Sequence, residues 1–369
     1  MQSEYRVLVI NPGSDSTQVG VFDDERCIFE KEIIHQPEHL RNYNWIMKQS
    51  EYRKQAILDV MDYEGINLSK LTAVCGKGGL LCPIKGGTYK VNAAMLYDLR
   101  TATYGEHISN LGGVIAYEIA SGLNIDAYIV DPVVVDELVE VARFSGIPEI
   151  SRRSIFHALN HKAAGRKAAA HLQTVYEDLN LIIVHMGKGI TIGAHQKGKV
   201  IDVNNGLDGD GPFTTERSGS LPIGDLIRLC FSKKYTKEEM LKKIVGNGGV
   251  MAYLGTSSLY EVESMMKSGD TNAKNVYDAM AYQISKEIGS MGAVLSGDVD
   301  AIVFTGFLSY ESKLIEIITK RVNWIADIFI YPGENELIAL NEGALRVLRN
   351  EENYLYYSAN EEWNDDQRV

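Results

Sequence analysis

Apolar and polar positions follow the same order in two distant parts of the chain. Tyr5 to Asn11 (YRVLVIN) is a β-branched run that stops at Asn-Pro-Gly-Ser; an apolar strand pattern resumes from Gln18 to Phe22, and Asp23-Asp24 supply a turn. From Leu181 the segment LIIVHMGKGITIGAHQKGKVIDV has the same grammar: a strand to His185, a Met-Gly-Lys-Gly turn, a second strand to His195 and a turn at Lys197-Gly198. Helical periodicity follows the first hairpin near Leu40 to Met61 and His107 to Ser121, with short strands around Ala73 and from Ala127 to Val130. It follows the second near Pro222 to Ser232 and Ala273 to Leu295, ahead of a strand from Ala301 to Gly306. A unit repeated at domain-sized spacing predicts a duplicated domain rather than a solenoid. Each half reads as a small sheet flanked by helices, an α/β fold with a cleft between two similar lobes.

No Pro/Ser-rich linker separates the halves. We place the boundary near Ile150, with residues 1–150 forming the N-terminal lobe and 151–336 the C-terminal lobe that carries the nucleotide-binding turns. The turn-rich break at Tyr331 to Glu336 precedes an amphipathic stretch from Leu337 to Arg349, expected to cross back so that 337–369 joins the first lobe. The closing NEEWNDDQRV is expected to fray.

Composition narrows the range of partners. A formal charge of −12 over 369 residues, with no basic run, argues against a nucleic-acid footprint or a polybasic membrane patch. The expected partner is a small molecule. Cys27, Cys75, Cys82 and Cys230 form no CxxC pair, and no His is spaced to complete a zinc site, so they read as reduced thiols. The opening MQSEYRVLVINPGS has neither the basic start nor the apolar stretch of a signal peptide, and no segment approaches the ~20 apolar residues that span a bilayer. A cytoplasmic protein is expected.

Three apolar strands end in turns of small residues: Asn11-Pro12-Gly13-Ser14, His185-Met186-Gly187-Lys188-Gly189 and Thr305-Gly306. Glycine lets backbone N–H groups approach a ligand, and a concave set of them attracts phosphate. Each turn alone is explained by the needs of a hairpin. Three at matched points of a duplicated lobe point to nucleotide phosphates. Neither GxxxxGK[ST] nor a strand-linked GxGxxG is present, so the phosphates must be held by another scheme. The stretch from Asp202 to Pro222 (DVNNGLDGDGPFTTERSGSLP) combines acids, glycines and Arg217 in an irregular run long enough to be functional. Phosphoryl transfer needs cationic donors and a metal held by acid or amide oxygens. The planar fork of Arg217 suits such oxygens, although a surface arginine is the alternative. His157 and His161 lie four apart and would share a helix face, a pair that on its own reads as structural; His185 reads equally well as a satisfied core histidine.

Taken together, NPGSDSTQVGVF, GKGGLLCPIKGGTY, GEHISNLGGVIAYEIA, DPVVVDEL, SIFHALNHKA, HMGKGITIGAHQKGKVIDVNNGLDGDGPFTTERSGSLP and PGENELIALNEGALRVL resemble the butyrate kinases, within the acetate and propionate kinase group. The likeness runs collinearly from about Arg6 to Arg349. It implies the duplicated, actin-like ATPase (ribonuclease H-like) lobes with an inter-lobe nucleotide cleft. It further implies reversible transfer between ATP and a carboxylate with Mg²⁺, giving ADP and an acyl phosphate, and a dimer or larger homo-oligomer. By the same resemblance, Asn11 and Glu336 would hold the metal, with Glu334 the less favoured alternative. Ser14 and Ser16 would line the first phosphate turn, and His185, Gly187 and Gly189 the second. Gly306 would sit by the adenosine. His157, Arg217, Lys77 and Asp131 would serve the chemistry, His157 near the transferring group, Arg217 on its oxygens and Asp131 near the metal.

Five positions depart from that pattern: Asp15 and Gln18 stand where Thr and Lys are expected, Lys77 replaces an Arg, and Lys188 and Phe307 replace glycines. Lys cannot reproduce the bidentate fork of Arg. These departures keep open a nucleotide-binding sensor without turnover. A kinase for a hydroxyl acceptor would need a general base beside that acceptor, and the GGLLCPI-type motif resembles the carboxylate branch instead.

Overall fold

The structure is a computed structural model that describes residues 4–359; the closing acidic stretch lies outside the described residues. The chain divides into two compact units, Met1–Val135 with Asn335–Val369, and Asp136–Glu334.

In the first unit, β1 (Arg6–Pro12), β2 (Ser16–Asp23) and β3 (Arg26–Ile34) form an antiparallel meander. Then β4 (Ala73–Lys77) lies parallel to β1, and β6 (Asp126–Val130) lies parallel to β4. Short β5 (Thr88–Lys90) and β12 (Leu355–Tyr356) extend the sheet to the order β12-β5-β6-β4-β1-β2-β3. β1 reads as an unbroken apolar run because it is central and buried on both faces. By contrast, β3 is the opposite edge and alternates exposed and half-buried positions. Its RCIFEKEII carries charges, as a solvated edge requires, which is why the sequence reading overlooked it.

The second unit repeats this plan. β7 (Asn180–Met186), β8 (Ile190–Gln196) and β9 (Lys199–Val203) form the meander, followed by parallel β10 (Ala301–Gly306) and β11 (Asp327–Pro332), in the order β11-β10-β7-β8-β9. The strand order 3-2-1-4-5 thus occurs twice, with β3-β2-β1-β4-β6 matching β9-β8-β7-β10-β11.

The helices match as well. Ser50–Tyr63 and Thr271–Val294 each connect the meander to the first parallel strand, and Asn110–Leu123 and Ser312–Val322 each connect the two parallel strands. Helix Glu336–Leu348 packs on β1, β2, β4 and β6, which is why the chain end belongs to the first unit. Its counterpart in the second unit is helix Ala158–His171, packed on β7 and β10. The first expected helix is shorter than its periodicity suggested: a 3-10 turn at Ile46–Gln49 leads into Ser50–Tyr63.

The two units divide at Val135, ahead of the Ile150 position read from the sequence. Residues just after Val135 are tied to the second unit: Val139 N–H donates to Ile201 O (3.0 Å), and buried Lys162 pairs with Glu137 (2.9 Å). Cys27, Cys75, Cys82 and Cys230 are all free thiols. Among the described residues, no helix is long and apolar enough to cross a membrane.

Candidate active site

In each unit, candidate residues collect at the carboxyl ends of adjacent parallel strands, the edge where open α/β sheets bind ligands. In the first unit, Ile10 pairs with Gly76 and Lys77 with Val130, so Asn11 near the end of β1, Lys77 at the end of β4 and Asp131 just after β6 lie along one edge. Glu336 opens helix Glu336–Leu348 and brings its carboxylate to the same edge. Lys77 Nζ lies 2.7 Å from both Glu336 oxygens, and Asn11 Nδ2 donates to Glu336 Oε2 at 2.7 Å. Asn11 Nδ2 also donates to Gln18 Oε1 (2.9 Å), so the amide side of Asn11 is engaged and its carbonyl oxygen is the group it presents.

Asp131 has a left-handed backbone (φ 37°), and its Oδ1 accepts the Gly87 N–H at 2.7 Å while its own N–H donates to Gly87 O. Glu334 belongs to the second unit, where its Oε1 lies 3.6 Å from His185 Nε2.

The first turn is held from behind by a residue that the sequence reading did not single out. Fully buried Arg53 donates to Gly13 O (2.9 Å), Ser14 O (2.9 Å), Ser16 O (2.8 Å), Thr17 Oγ1 (3.0 Å) and Gln49 Oε1 (3.0 Å). A signal was present: Arg53 stands four and eight residues before Ile57 and Met61 on the buried stripe of its helix. Burial brings its guanidinium down to about 10, with Tyr52 and Asp15 opposing that shift. The Ser16 hydroxyl donates to Glu32 Oε1 (2.8 Å), so an acid lies directly beside this turn.

In the second unit, Gly187 N–H is engaged within its own turn, donating to Gly189 O at 3.0 Å. A methyl group on Gly189 would lie 2.5 Å from Arg217 Nη1, so this glycine makes room for the guanidinium. Arg217 Nη1 donates to Gly206 O, and burial lowers the Arg217 pKa below its ordinary value, with Glu216 opposing. The loop that delivers Arg217 is ordered by its own polar groups. Asn204 bridges Ile192 N and Ile190 O (2.7 and 3.0 Å), and Thr214 Oγ1 donates to Lys188 O (2.8 Å) while accepting the Arg217 N–H (3.0 Å).

His157 is the N-cap residue of helix Ala158–His171 and stacks on His185 with ring centroids 3.7 Å apart. Its Nδ1 meets Thr191 Oγ1 at 2.9 Å, and His185 Nδ1 meets Asn160 Oδ1 at 2.7 Å. Gly206 draws the cluster together: its carbonyl holds Arg217, and a methyl group on it would lie 3.8 Å from His157 Cε1. Gly306 has φ 84°, and a side chain there would collide with the Met186 backbone, so glycine is required by the fold itself.

Residues 147–328 match the model of the acetokinase family. Among solved structures, the chain resembles an acetate kinase from Porphyromonas gingivalis (TM-score 0.77, 18% identity, covering 93% of this chain and 100% of that one). It also resembles a propionate kinase from Francisella tularensis subsp. tularensis (TM-score 0.71, 16% identity, 92% and 98% covered). An acetate kinase from Entamoeba histolytica is similar (TM-score 0.71, 15% identity, 92% and 99% covered). With the two topologically matched sheets, these likenesses identify the actin-like ATPase fold.

Proposed function

We propose that this protein is a carboxylate kinase that transfers the γ-phosphoryl group of ATP to a short-chain fatty acid, with butyrate as the leading candidate. The observation that carries this reading is the convergence of His157 and Arg217 on Gly206 and the Gly187–Gly189 turn, inside the segment that matches the acetokinase family. A carboxylate oxygen attacks the γ-phosphorus in line, the bond from phosphorus to the β,γ-bridging oxygen breaks, and ADP leaves; the reverse reaction makes ATP. No covalent enzyme intermediate is required, and catalysis rests on positioning and electrostatic stabilisation. Arg217 donates to oxygens of the transferring group or the carboxylate, and its partial burial strengthens that interaction. His157 donates to the same group. Ser14, Ser16, His185, Gly187 and Gly189 hold phosphates, Gly306 adjoins the adenosine, and Lys77 and Asp131 complete the set.

The Asn11 carbonyl oxygen and the Glu336 carboxylate suit Mg²⁺, which is usually held by one or two protein oxygens together with substrate phosphates. Consistent with a metal shared with phosphates, no cluster of three or more His, Cys, Asp or Glu is arranged to cage an ion among the described residues. When bound, Mg²⁺ would neutralise phosphate charge, and Lys77, which pairs with Glu336 in this structure, is a second cation at the same edge. A cytoplasmic location fits this chemistry. A homo-oligomer is supported by helix Ile223–Cys230, which exposes Ile223 and Ile227, next to exposed Phe231.

A second reading, nucleotide binding without turnover, is favoured by one observation: Asp15 and Glu32 place acid at the first turn. Acyl phosphate formation, trapped as hydroxamate with Mg²⁺-ATP across acids from acetate to hexanoate, separates the two. A maximum at four or five carbons supports the butyrate kinase assignment. ATP binding with no product on any acid supports the sensor.

A further inference from the structure

The role given to His157 depends on which of its ring nitrogens carries hydrogen, and the interior of the second unit decides this. A single file of hydrogen bonds leads from His157 into the core. His157 Nδ1 meets Thr191 Oγ1 (2.9 Å), Thr191 Oγ1 meets His161 Nε2 (2.9 Å), His161 Nδ1 meets His195 Nε2 (3.1 Å), and His195 Nδ1 meets the Tyr176 hydroxyl (2.5 Å). Thr191, His161, His195 and Tyr176 are all buried. Two elements build the file: β8 places Thr191 and His195 on one face by its period of two, and helix Ala158–His171 faces them with His161 and its N-cap His157.

Counting hydrogens restricts the file to two states. A neutral imidazole donates once and accepts once, and a hydroxyl has one hydrogen to give. Burial holds His161 and His195 far below the ordinary imidazole range, so both rings are neutral. Were Thr191 Oγ1 to accept from both rings, its own buried hydrogen would have no acceptor among the described residues, so every link runs in the same sense, either from Tyr176 outward or from His157 inward. The inner end chooses between them. A phenol O–H is a much stronger acid than the N–H of a neutral imidazole, and an imidazole nitrogen accepts a hydrogen bond better than a phenol oxygen, so at the Tyr176–His195 contact the phenol donates. His195 then carries its hydrogen on Nε2 and donates to His161 Nδ1. His161 carries its own on Nε2 and donates to Thr191 Oγ1. Thr191 donates to His157 Nδ1, and neutral His157 bears its hydrogen on Nε2.

We propose that Tyr176, His195, His161 and Thr191 form a positioning relay that holds His157 as its Nε2–H tautomer, so that the neutral ring offers a donor rather than a lone pair to an anionic substrate oxygen. No proton moves along the relay; it sets orientation and tautomer only. Its purpose rests on the phosphoryl-transfer reading above, but its geometry does not.

The test is ¹⁵N–¹H correlation spectroscopy of the histidine rings in the full-length protein at neutral pH, paired with steady-state kinetics. A protonated and a bare ring nitrogen resonate far apart, so each tautomer is read directly. The expected result is protonated Nε2 and bare Nδ1 at His157, His161 and His195. Thr191→Val should convert His157 to a mixture of tautomers and lower kcat roughly tenfold, the worth of about one hydrogen bond, without changing the KM for ATP. Thr191→Ser, which keeps the hydroxyl, should restore the wild-type spectrum. Tyr176→Phe, at the far end of the file, should mix the tautomers of His195 and His161 although it touches nothing near the substrate. A bare Nε2 on wild-type His157, or an unchanged His157 tautomer in Thr191→Val, would overturn the relay. If the tautomers are as expected but no acid is phosphorylated, the relay stands and the carboxylate kinase reading falls.

Discussion

Arg53 shows how much one buried side chain can organise. Its three guanidinium nitrogens, with Nη1 shared among three acceptors, take up the carbonyls of Gly13, Ser14 and Ser16 together with two side-chain oxygens and hold the loop from its inner side. Arg53→Ala would strand those buried acceptors, at about 1–3 kcal/mol for each group left without a partner. We expect a loss of at least about 3 kcal/mol in urea unfolding, and weaker ATP binding in whatever protein remains folded. His35, which meets Thr17 Oγ1 at 2.8 Å in the same cluster, brings a pH dependence. Burial, and secondarily Arg53, lower it to about 4. Between its unfolded value near 6.5 and about 4, the unfolded chain binds the extra proton, so stability is full above 6.5 and falls as pH drops through that window. The drop should be roughly 1–3 kcal/mol by denaturant titration from pH 7 to pH 4.5 and smaller in His35→Gln. At the chemical step, Arg217→Ala should reduce turnover by ~10²–10³ with circular dichroism unchanged. Near-normal turnover would remove Arg217 from the mechanism.

At the scale of elements, the site depends on how closely a helix lies on a strand. Gly76 in β4 and Gly112 in helix Asn110–Leu123 let two backbones touch: a methyl on Gly76 would collide with the Gly112 carbonyl, and one on Gly112 with the Lys77 carbonyl. Gly112→Ala must therefore push the end of β4 away from its helix and carry Lys77 with it. The expected cost is about 1–3 kcal/mol for overpacking, with a fall in acid phosphorylation that exceeds what the lost stability explains. Comparing thermal melts with kcat/KM at a temperature where the variant is fully folded checks this. Helix Glu336–Leu348 has a similar close approach: a methyl on Gly343 would fall 2.5 Å from the Val130 side chain. The element that presents Glu336 is thus fixed to the strand that precedes Asp131.

At the scale of the whole molecule, the two units differ in continuity. Asp136–Glu334 is one stretch of chain, whereas the first unit needs Asn335–Val369 to complete it. Without helix Glu336–Leu348, the face formed by β1, β4 and β6 would expose its apolar residues. A fragment of residues 136–334 should therefore melt cooperatively on its own, while 1–135 should aggregate unless 335–369 is supplied, as measured by circular dichroism and light scattering.

The sequence by itself determined the duplicated plan, because strand period, turn chemistry and apolar runs are local properties repeated in both halves. It likewise marked Asn11, His157, His185, Arg217 and Glu336 as candidates, through motifs whose spacing survives in one dimension. Edge strands β3 and β11 escaped that reading because charged or half-exposed positions blur a period of two. Only the tertiary structure decided which candidates meet. Lys77 and Glu336 form an ion pair across more than two hundred residues, and Arg53 reaches back to the first turn. Thr191 links His157 to His161, with His195 and Tyr176 beyond it. The physical reason is that parallel strands and the helices covering them bring distant chain ends to one edge, and hydrogen-bond partners are assigned there by contact.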